Sequence, residues 1–461
     1  MNQTANVLCY VRPWNAEQFK YMVGRIEQGA RVLGCSEHDS EDNSGLRDGY
    51  YNYLKKGRSL AFENVSEISI DEFRDIILRC RLLRKLDADQ ARTHVVAMAL
   101  SMRDVFVKAN PILVYSLTVD SYVMDLLRVF SLVNGVKFVA FIGTFVNGYY
   151  RVSARGESTQ NATPEQNFVD MAKAKLLKSD YVPAFNNKSL SNPRRSVYRR
   201  WAANVARIPY FWLKRHLVGD RYNYHYWASQ MVALEQLNMF PPSDPGTDLW
   251  RQKLLESDKP SLFIPLQMFP ECTVDYWCQN VEVIKYYTVL NDLVDKLNKD
   301  FHILLKEHPS VMGSRPARFY RQLKKDPRIT VVPTYTSSND VLGKVDSVLV
   351  WTGTVGFEAL LRGIAVFGLS TPYYAYGKRF ANVGLTPDVA KMIQHVELCK
   401  LHPITVQEQE GLLGHLGKQL YKGSFTNDGT WTLGKAEHLH DVEVMVDSFQ
   451  RGKGGGEESA G

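Results

Sequence analysis

Cysteine is scarce in the 461-residue sequence: Cys9, Cys35, Cys80, Cys272, Cys278 and Cys399 stand alone, without a Cys-x-x-Cys pair or a Cys/His cluster. That spacing excludes a disulfide framework and a zinc ribbon and fits reduced thiols, so a cytoplasmic location is expected. Long apolar runs are missing too, and no stretch approaches the ~20 residues a spanning helix needs. The opening MNQTANVLCYVRPW lacks the basic, then apolar pattern of a secretory signal. Charge of one sign is in small excess, 56 Lys+Arg against 49 Asp+Glu for a net +7, which matters only where it is concentrated. What remains is globular composition, 45% hydrophobic and 23% charged, over a length that implies two or three domains.

Short apolar runs alternate with segments of helical period, the pattern of βα units building parallel sheets. Strands are expected at residues 6–11 (NVLCYV), 31–35 (RVLGC), 112–116 (ILVYS) and 137–142 (KFVAFI), with helices at 16–29, capped by Asn15, and at 120–133. The same grammar resumes with strands at 261–267, 302–306, 329–333, 347–351 and 364–369, and helices at 281–299, 317–325, 337–342 and 355–361. The expected fold class is α/β, with two Rossmann-like doubly wound domains facing a cleft and a helical basic/aromatic segment between them. The expected division is 1–180, 181–256, 257–400, helices at 401–450 and a Gly-rich disordered tail at 451–461. Ligands of such sheets bind beyond the carboxyl ends of the strands.

The basic excess sits between the lobes. Arg194, Arg195, Arg199, Arg200, Arg207, Lys214, Arg215 and Arg221 interleave with Tyr198, Trp201, Tyr210, Phe211, Trp212, Tyr222, Tyr224 and Trp227. Rings at the interface and cations on headgroup phosphates would suit an anionic membrane or a glycan acceptor. Packing of the same rings into the inter-lobe core is the plainer reading, and nucleic acid is not an expected partner.

Two segments carry chemistry. Lys306-Glu307-His308-Pro309 follows a strand, and Pro309 keeps His308 extended, so that an ammonium and an imidazole stand where they can hold a phosphate. Trp351-Thr352-Gly353-Thr354-Val355-Gly356-Phe357-Glu358 follows another strand, with small residues at a strand-to-helix turn where N–H groups can approach an anion. The lysine of a Walker loop is absent. Glu358, one turn inside the helix, is placed to reach ribose hydroxyls. The second lobe has no Asp-x-Asp at a strand end, so neither a metal nor a resident cofactor is expected.

KEHPS at 306–310 and DSVLVWTGTVGFEALLRGIAVFGLSTPYY at 346–374, with SLFIPLQ at 261–267 and DVLGKV at 340–345, resemble the capsule polysaccharide biosynthesis family, which includes bacterial Kdo transferases. The resemblance covers about residues 259–380. It implies a GT-B-like glycosyltransferase whose C-terminal lobe binds a nucleotide sugar, typically CMP-Kdo, through Gln267, Lys306, Glu307, His308, Pro309, Thr352, Gly353, Thr354, Val355, Gly356 and Glu358. His308 would contact the phosphate. It also implies a bacterial surface glycan or glycolipid acceptor, and a position at the inner face of the cytoplasmic membrane.

The first lobe departs from the family's pattern. Its nearest counterpart to an acidic residue followed by Gly-aromatic-x-Arg is Asn147-Gly148-Tyr149-Tyr150-Arg151, with no carboxylate just before Gly148. Asn147, Tyr149 and Arg151 are therefore acceptor-binding candidates, while Asp39 and Asp120 join His308 as catalytic candidates, with Glu37, Glu41, Asp42 and Glu157 as further carboxylates. Three alternatives stand beside CMP-Kdo transfer: a sialyl or other nucleotide-sugar transferase of the same fold, a non-catalytic component of glycan export, and a nucleotide-sugar epimerase that would share the donor cradle but need no basic aromatic acceptor region.

Overall fold

The computed structural model describes residues 5–57, 60–178, 181, 192–424 and 430–455. The chain forms two compact units: Met1–Pro164, Phe211–Ser229 and Lys418–Gly461 make unit 1, and Glu165–Tyr210 with Gln230–Gly417 make unit 2. The division is discontinuous. The basic and aromatic segment is shared between the units at residue 210, and residues 418 onward return to the first.

Unit 1 is built on β1 (Asn6–Tyr10), β2 (Arg31–Cys35), β3 (Leu113–Leu117), β4 (Lys137–Gly143) and β5 (Tyr149–Val152). Unit 2 carries β6 (Ser261–Pro265), β7 (His302–Lys306), β8 (Ile329–Val332), β9 (Ser347–Val350), β10 (Ala365–Gly368) and β11 (Phe380–Asn382), and β12 (Tyr421–Lys422) belongs again to unit 1.

The first sheet runs in the order β12-β5-β4-β3-β1-β2. β2, β1, β3 and β4 are parallel neighbours, and β5 and β12 close the edge antiparallel. The helix Ala16–Ile26 turns Phe19, Met22, Val23 and Ile26 inward, the i, i+3, i+4, i+7 stripe of a core-facing helix. The helix Ala436–Gly455 supplies the same stripe from the other end of the sequence, with Val442, Met445, Val446 and Phe449 packed in one cluster with Tyr115, Phe141 and Tyr150. Residues 451–455 are thus helical where a disordered tail was expected, and the rest of that tail, 456–461, lies outside the described residues.

The second sheet is parallel throughout, in the order β11-β10-β9-β6-β7-β8. Its central strands are buried on both faces, which is why SLFIP, HILLK and SVLV read as apolar runs without alternation. From β6 the chain moves outward through β7 and β8, then crosses to β9 on the opposite side. The switch point between β6 and β9 is where such sheets take ligands. The helix expected at 281–299 begins as a 3-10 turn, Val281–Ile284, and becomes α-helical only at Tyr286–Leu297. Among the described residues no helix is long and apolar enough to cross a membrane.

Candidate functional site

At the carboxyl ends of β6, β7 and β9 the fold of unit 2 gathers residues 267, 306–308 and 352–358. Gln267 follows β6 and is anchored through its backbone: its N–H donates to Tyr286 Oη at 2.9 Å and its carbonyl accepts from Arg315. Its side chain crosses to the end of β9, so closely that a Cβ at Gly353 would stand 2.1 Å from Gln267 Nε2. Glycine at 353 is therefore required by close approach.

Lys306, the last residue of β7, is buried, and its ammonium makes no hydrogen bond or ion pair among the described residues. Burial pushes its pKa down to about 8, opposed by the negative charge of Glu307, Glu358 and Asp244. Glu358 is the complementary case: burial raises its carboxyl to about 7, against the pull of Arg362 and Lys306. A buried cation without a hydrogen-bonding partner is costly, and an anion delivered beside it would remove that cost.

His308 is held in one protonation state and one orientation. Burial and the nearby Lys306, Arg315 and Arg200 cations push it down to about 3, so the ring is neutral. Its Nδ1 accepts from the Ser310 N–H at 3.1 Å, which leaves the proton on Nε2 as a donor. Glu307 faces the other way: its carboxylate is fully buried in an ion pair with Arg315, accepts from Tyr320 Oη at 3.1 Å, and receives the His308 backbone N–H at 2.6 Å. Arg315 thus ties the ends of β6 and β7 together. Glu307 is a supporting group, so of the Lys-Glu-His-Pro run only Lys306 and His308 keep donors free for a ligand.

The turn after β9 is also partly occupied. Thr352 Oγ1 donates to the Thr273 carbonyl at 2.8 Å, and Tyr374 Oη donates to the Gly353 carbonyl. Thr352 therefore fixes the turn and does not line a cradle with its hydroxyl. Thr354 caps the seven-residue helix Val355–Leu361 without a side-chain cap bond. Gly356 admits Tyr374, whose Oη would be 2.4 Å from a Cβ there. Glu358 follows in the first turn of that helix.

Sequence reasoning missed Arg315, Tyr286, Tyr374 and Arg200. The last comes from the helix Pro193–Leu217 and donates to the Ser310 carbonyl at 2.6 Å. No local pattern marks an arginine seven residues beyond His308 as its support.

In unit 1 Arg12 brings Asp120 and Glu37 together, while Asp39 and the Asn147–Arg151 stretch lie apart from each other. Asp39 is exposed, 78% by side chain, and paired with Arg47 at 3.2 Å. Asp120, after β3, is held by both ends of the Arg12 guanidinium, at 3.0 and 2.7 Å. Burial alone would raise its carboxyl, but the charge and hydrogen bonds of Arg12 outweigh that and lower it, which weakens it as a base. Asn147 and Tyr149 flank the β4–β5 turn, and Arg151 is fully buried, donating to the Glu157 carbonyl. Four strand spacings separate β5 from β2, about 19 Å at ~4.8 Å each, so Asn147–Arg151 and Asp39 lie at opposite parts of the sheet. Among the described residues, no group of three or more His, Cys, Asp or Glu side chains is arranged to hold a metal ion.

Residues 211–396 match the model of a family described as capsule polysaccharide biosynthesis protein, in agreement with the resemblance read from the sequence. The matched stretch contains Gln267, Lys306, His308, the 352–356 turn and Glu358. Solved structures similar to the chain include two from Thermosulfurimonas dismutans KpsC. The beta Kdo 2,7 transferase is 16% identical over 82% of this chain and 97% of that one, with a TM-score of 0.32. The beta Kdo 2,4 transferase is 12% identical over 73% and 87%, also at 0.32. UDP-GlcNAc 2-epimerase from Neisseria meningitidis bound to UDP-GlcNAc is 12% identical over 97% and 100%, at 0.27. With scores this low, the fold class rests on strand order and register. No curated protein matches the chain in sequence.

Proposed function

We propose that the protein is a glycosyltransferase of bacterial capsule polysaccharide or lipid-linked glycan assembly, drawing its sugar from a cytidine-activated donor, CMP-Kdo first and CMP-sialic acid second. The observation that carries this reading is a buried, unpaired Lys306 beside a neutral His308 with a free Nε2–H, at the switch point of a parallel sheet and inside the segment the family model matches. In this reading Lys306 and His308 Nε2–H bind the donor phosphate. As the bond to the anomeric carbon breaks, both stabilise the charge growing on the leaving phosphate, from positions fixed beforehand. Glu358 takes the ribose hydroxyls, and the cations and N–H groups meet the phosphate without calling for a divalent metal. The acceptor is a glycan or glycolipid hydroxyl.

The same reading places the enzyme against the inner face of an anionic membrane. The helix Pro193–Leu217 exposes Tyr198, Tyr210, Trp212, Leu213 and Leu217 among basic residues, a composition suited to a headgroup layer. The deciding experiment is a thermal-shift series with CMP, CDP, UDP, GDP and ADP on the protein and on His308→Ala. Selective stabilisation by CMP that the variant loses is the expected result. No response to any nucleotide overturns the proposal, and a preference for UDP or GDP removes CMP-Kdo while keeping the transferase.

A further inference from the structure

The Lys-Glu-His-Pro run ends in a turn that its own segment holds only in part. Val311 N–H donates to the His308 carbonyl at 3.0 Å, Ser314 N–H to the Val311 carbonyl at 2.8 Å, and Gly313 N–H to Tyr320 Oη at 3.3 Å. Ser310 stands among them with both of its backbone groups turned to side chains. Its N–H donates to His308 Nδ1 at 3.1 Å, and its carbonyl accepts from Arg200 Nη1 at 2.6 Å. One residue thus links the imidazole to a cation 110 positions earlier in the chain.

The helix that carries Arg200 is built onto this turn. Its first residue, Pro193, offers its carbonyl to Tyr335 Oη at 3.3 Å, and Trp201 Nε1 donates to the Asn238 carbonyl at 3.0 Å. Asn238 is buried in its turn; Nδ2 donates to the Arg315 carbonyl at 2.8 Å, and Oδ1 accepts the Ala317 N–H. Between these ties Gly313, at φ 90°, passes so close to the helix that a Cβ would meet the Val197 carbonyl oxygen at 3.2 Å. The start of the helix Pro193–Leu217 and the turn at 308–314 therefore form one packed piece of unit 2. Arg200 is fixed within it, because its second terminal nitrogen donates to Ser196 Oγ one turn back. It lies outside residues 211–396, so the match to the family model does not reach it.

This arrangement decides what the imidazole can offer. A neutral histidine carries its proton on one nitrogen, and the hydrogen bond made by the other nitrogen sets which one. With the Ser310 N–H on Nδ1, the proton sits on Nε2, the nitrogen left for a ligand. A Ser310 carbonyl released from Arg200 frees the residue to turn; Nδ1 then loses its donor and the two tautomers compete. The charge of Arg200 works in the same direction, since burial, Lys306, Arg315 and Arg200 all oppose protonation of the ring. The neighbouring carboxylate, Glu307, is engaged by Arg315 and Tyr320.

We propose that Arg200 is a positioning residue of the donor site, holding Ser310 so that His308 presents Nε2–H, and not Nδ1–H, to its ligand. The inference rests on the donor reading only in calling that ligand a phosphate; the hold on the ring stands on unit 2 alone. The test is proton–nitrogen correlation spectroscopy of the full-length protein with heavy nitrogen in its histidine rings, His308 being assigned by the signals that His308→Gln removes. The unaltered protein should show His308 as the single Nε2–H tautomer. Arg200→Met should show a mixture of both tautomers and bind CMP about tenfold more weakly. Arg200→Lys keeps the charge and a donor for the Ser310 carbonyl, so it should restore the Nε2–H form and part of the CMP affinity. A merely structural role would lower the melting temperature of Arg200→Met and leave the ring unchanged, and that result overturns the proposal, as does a mixed ring in the unaltered protein. Should Arg200→Met fail to fold, Ser196→Ala, which frees only one guanidinium nitrogen, decides by the same spectrum: an added Nδ1–H signal supports the proposal and its absence overturns it. If the unaltered protein does not respond to CMP, the donor reading fails, and the ring spectrum, which needs no ligand, still decides the role of Arg200.

Discussion

Removing the Arg315 guanidinium isolates what holds His308 in place. Arg315 and Glu307 are fully buried and paired, Arg315 also donates to the Gln267 carbonyl, and its guanidinium carbon lies 5.3 Å from the Tyr286 ring centre. Arg315→Met keeps most of the side-chain volume but strands the Glu307 carboxylate, which retains only Tyr320 Oη and the His308 N–H. Breaking a buried pair from one side costs about 3–5 kcal/mol. For a unit of this size that lowers the melting temperature by roughly 6–20 °C. The double variant Arg315→Met/Glu307→Gln removes the stranded charge and should recover about half of the loss or more, because replacing both partners is far milder than removing one. The assay is thermal unfolding followed by circular dichroism, with CMP titration of every variant that folds. A loss under about 1 kcal/mol in Arg315→Met, or a double variant no more stable than the single one, refutes the account of Arg315 as the tie between the ends of β6 and β7.

Two further outcomes follow from the same structure. Glu358 is raised from 4.5 to about 7 and Lys306 lowered from 10.5 to about 8. Between pH 4.5 and 7 the folded state keeps a proton on Glu358 that the unfolded chain has released, so stability falls as pH rises. Between pH 8 and 10.5 the unfolded chain keeps a proton on Lys306 that the folded state has lost, so stability climbs. The contribution of this pair is thus lowest between pH 7 and 8, and melting curves across pH should lose the falling limb in Glu358→Gln and the rising limb in Lys306→Met; unchanged profiles refute the assignment. On the surface, Trp212→Ser with Leu217→Ser should weaken sedimentation with phosphatidylglycerol vesicles about tenfold or more while leaving the fold and neutral-vesicle binding alone. Equal binding by the altered and unaltered protein refutes a membrane role for that helix.

Unit 2 was more legible in the sequence than unit 1, for a physical reason. Its strands are short, apolar and bounded by helices of clear period, so HILLK, SVLV and VGFEALL were placed within a residue or two of their observed ends. In unit 1 the helix Ala88–Ala109 is buried on most of its surface, from Val95 through Met102, and shows no single apolar face for periodicity to find. β12 is two residues long and pairs with β5 only through the fold. Within the site, Lys306, His308 and Glu358 could be picked out because they follow strands or open helices. Arg315 and Thr273 could not, since their roles exist only once distant loops are brought together. Asn15 shows a smaller lesson: its side chain accepts the Arg12 N–H at 2.9 Å and so does not cap the helix it precedes.

The return of the chain to unit 1 sets an order of assembly during synthesis. Every element of unit 2 lies between residues 165 and 417, so its sheet can close as soon as that stretch has left the ribosome. The first sheet must wait. Tyr150 Oη donates to the Met445 carbonyl, 295 positions away, and Arg25 reaches Glu443 across 418. Until those residues emerge, Tyr115, Phe141 and Tyr150 lack the part of their cluster that Val442, Met445, Val446 and Phe449 supply, although Phe19 already meets Phe141. At about 5–20 residues per second the delay is roughly 15–60 s, long enough for exposed apolar surface to recruit a chaperone or another nascent chain. Synthesis halted near residue 420 would therefore release a molecule with a finished second unit and an open, aggregation-prone first one.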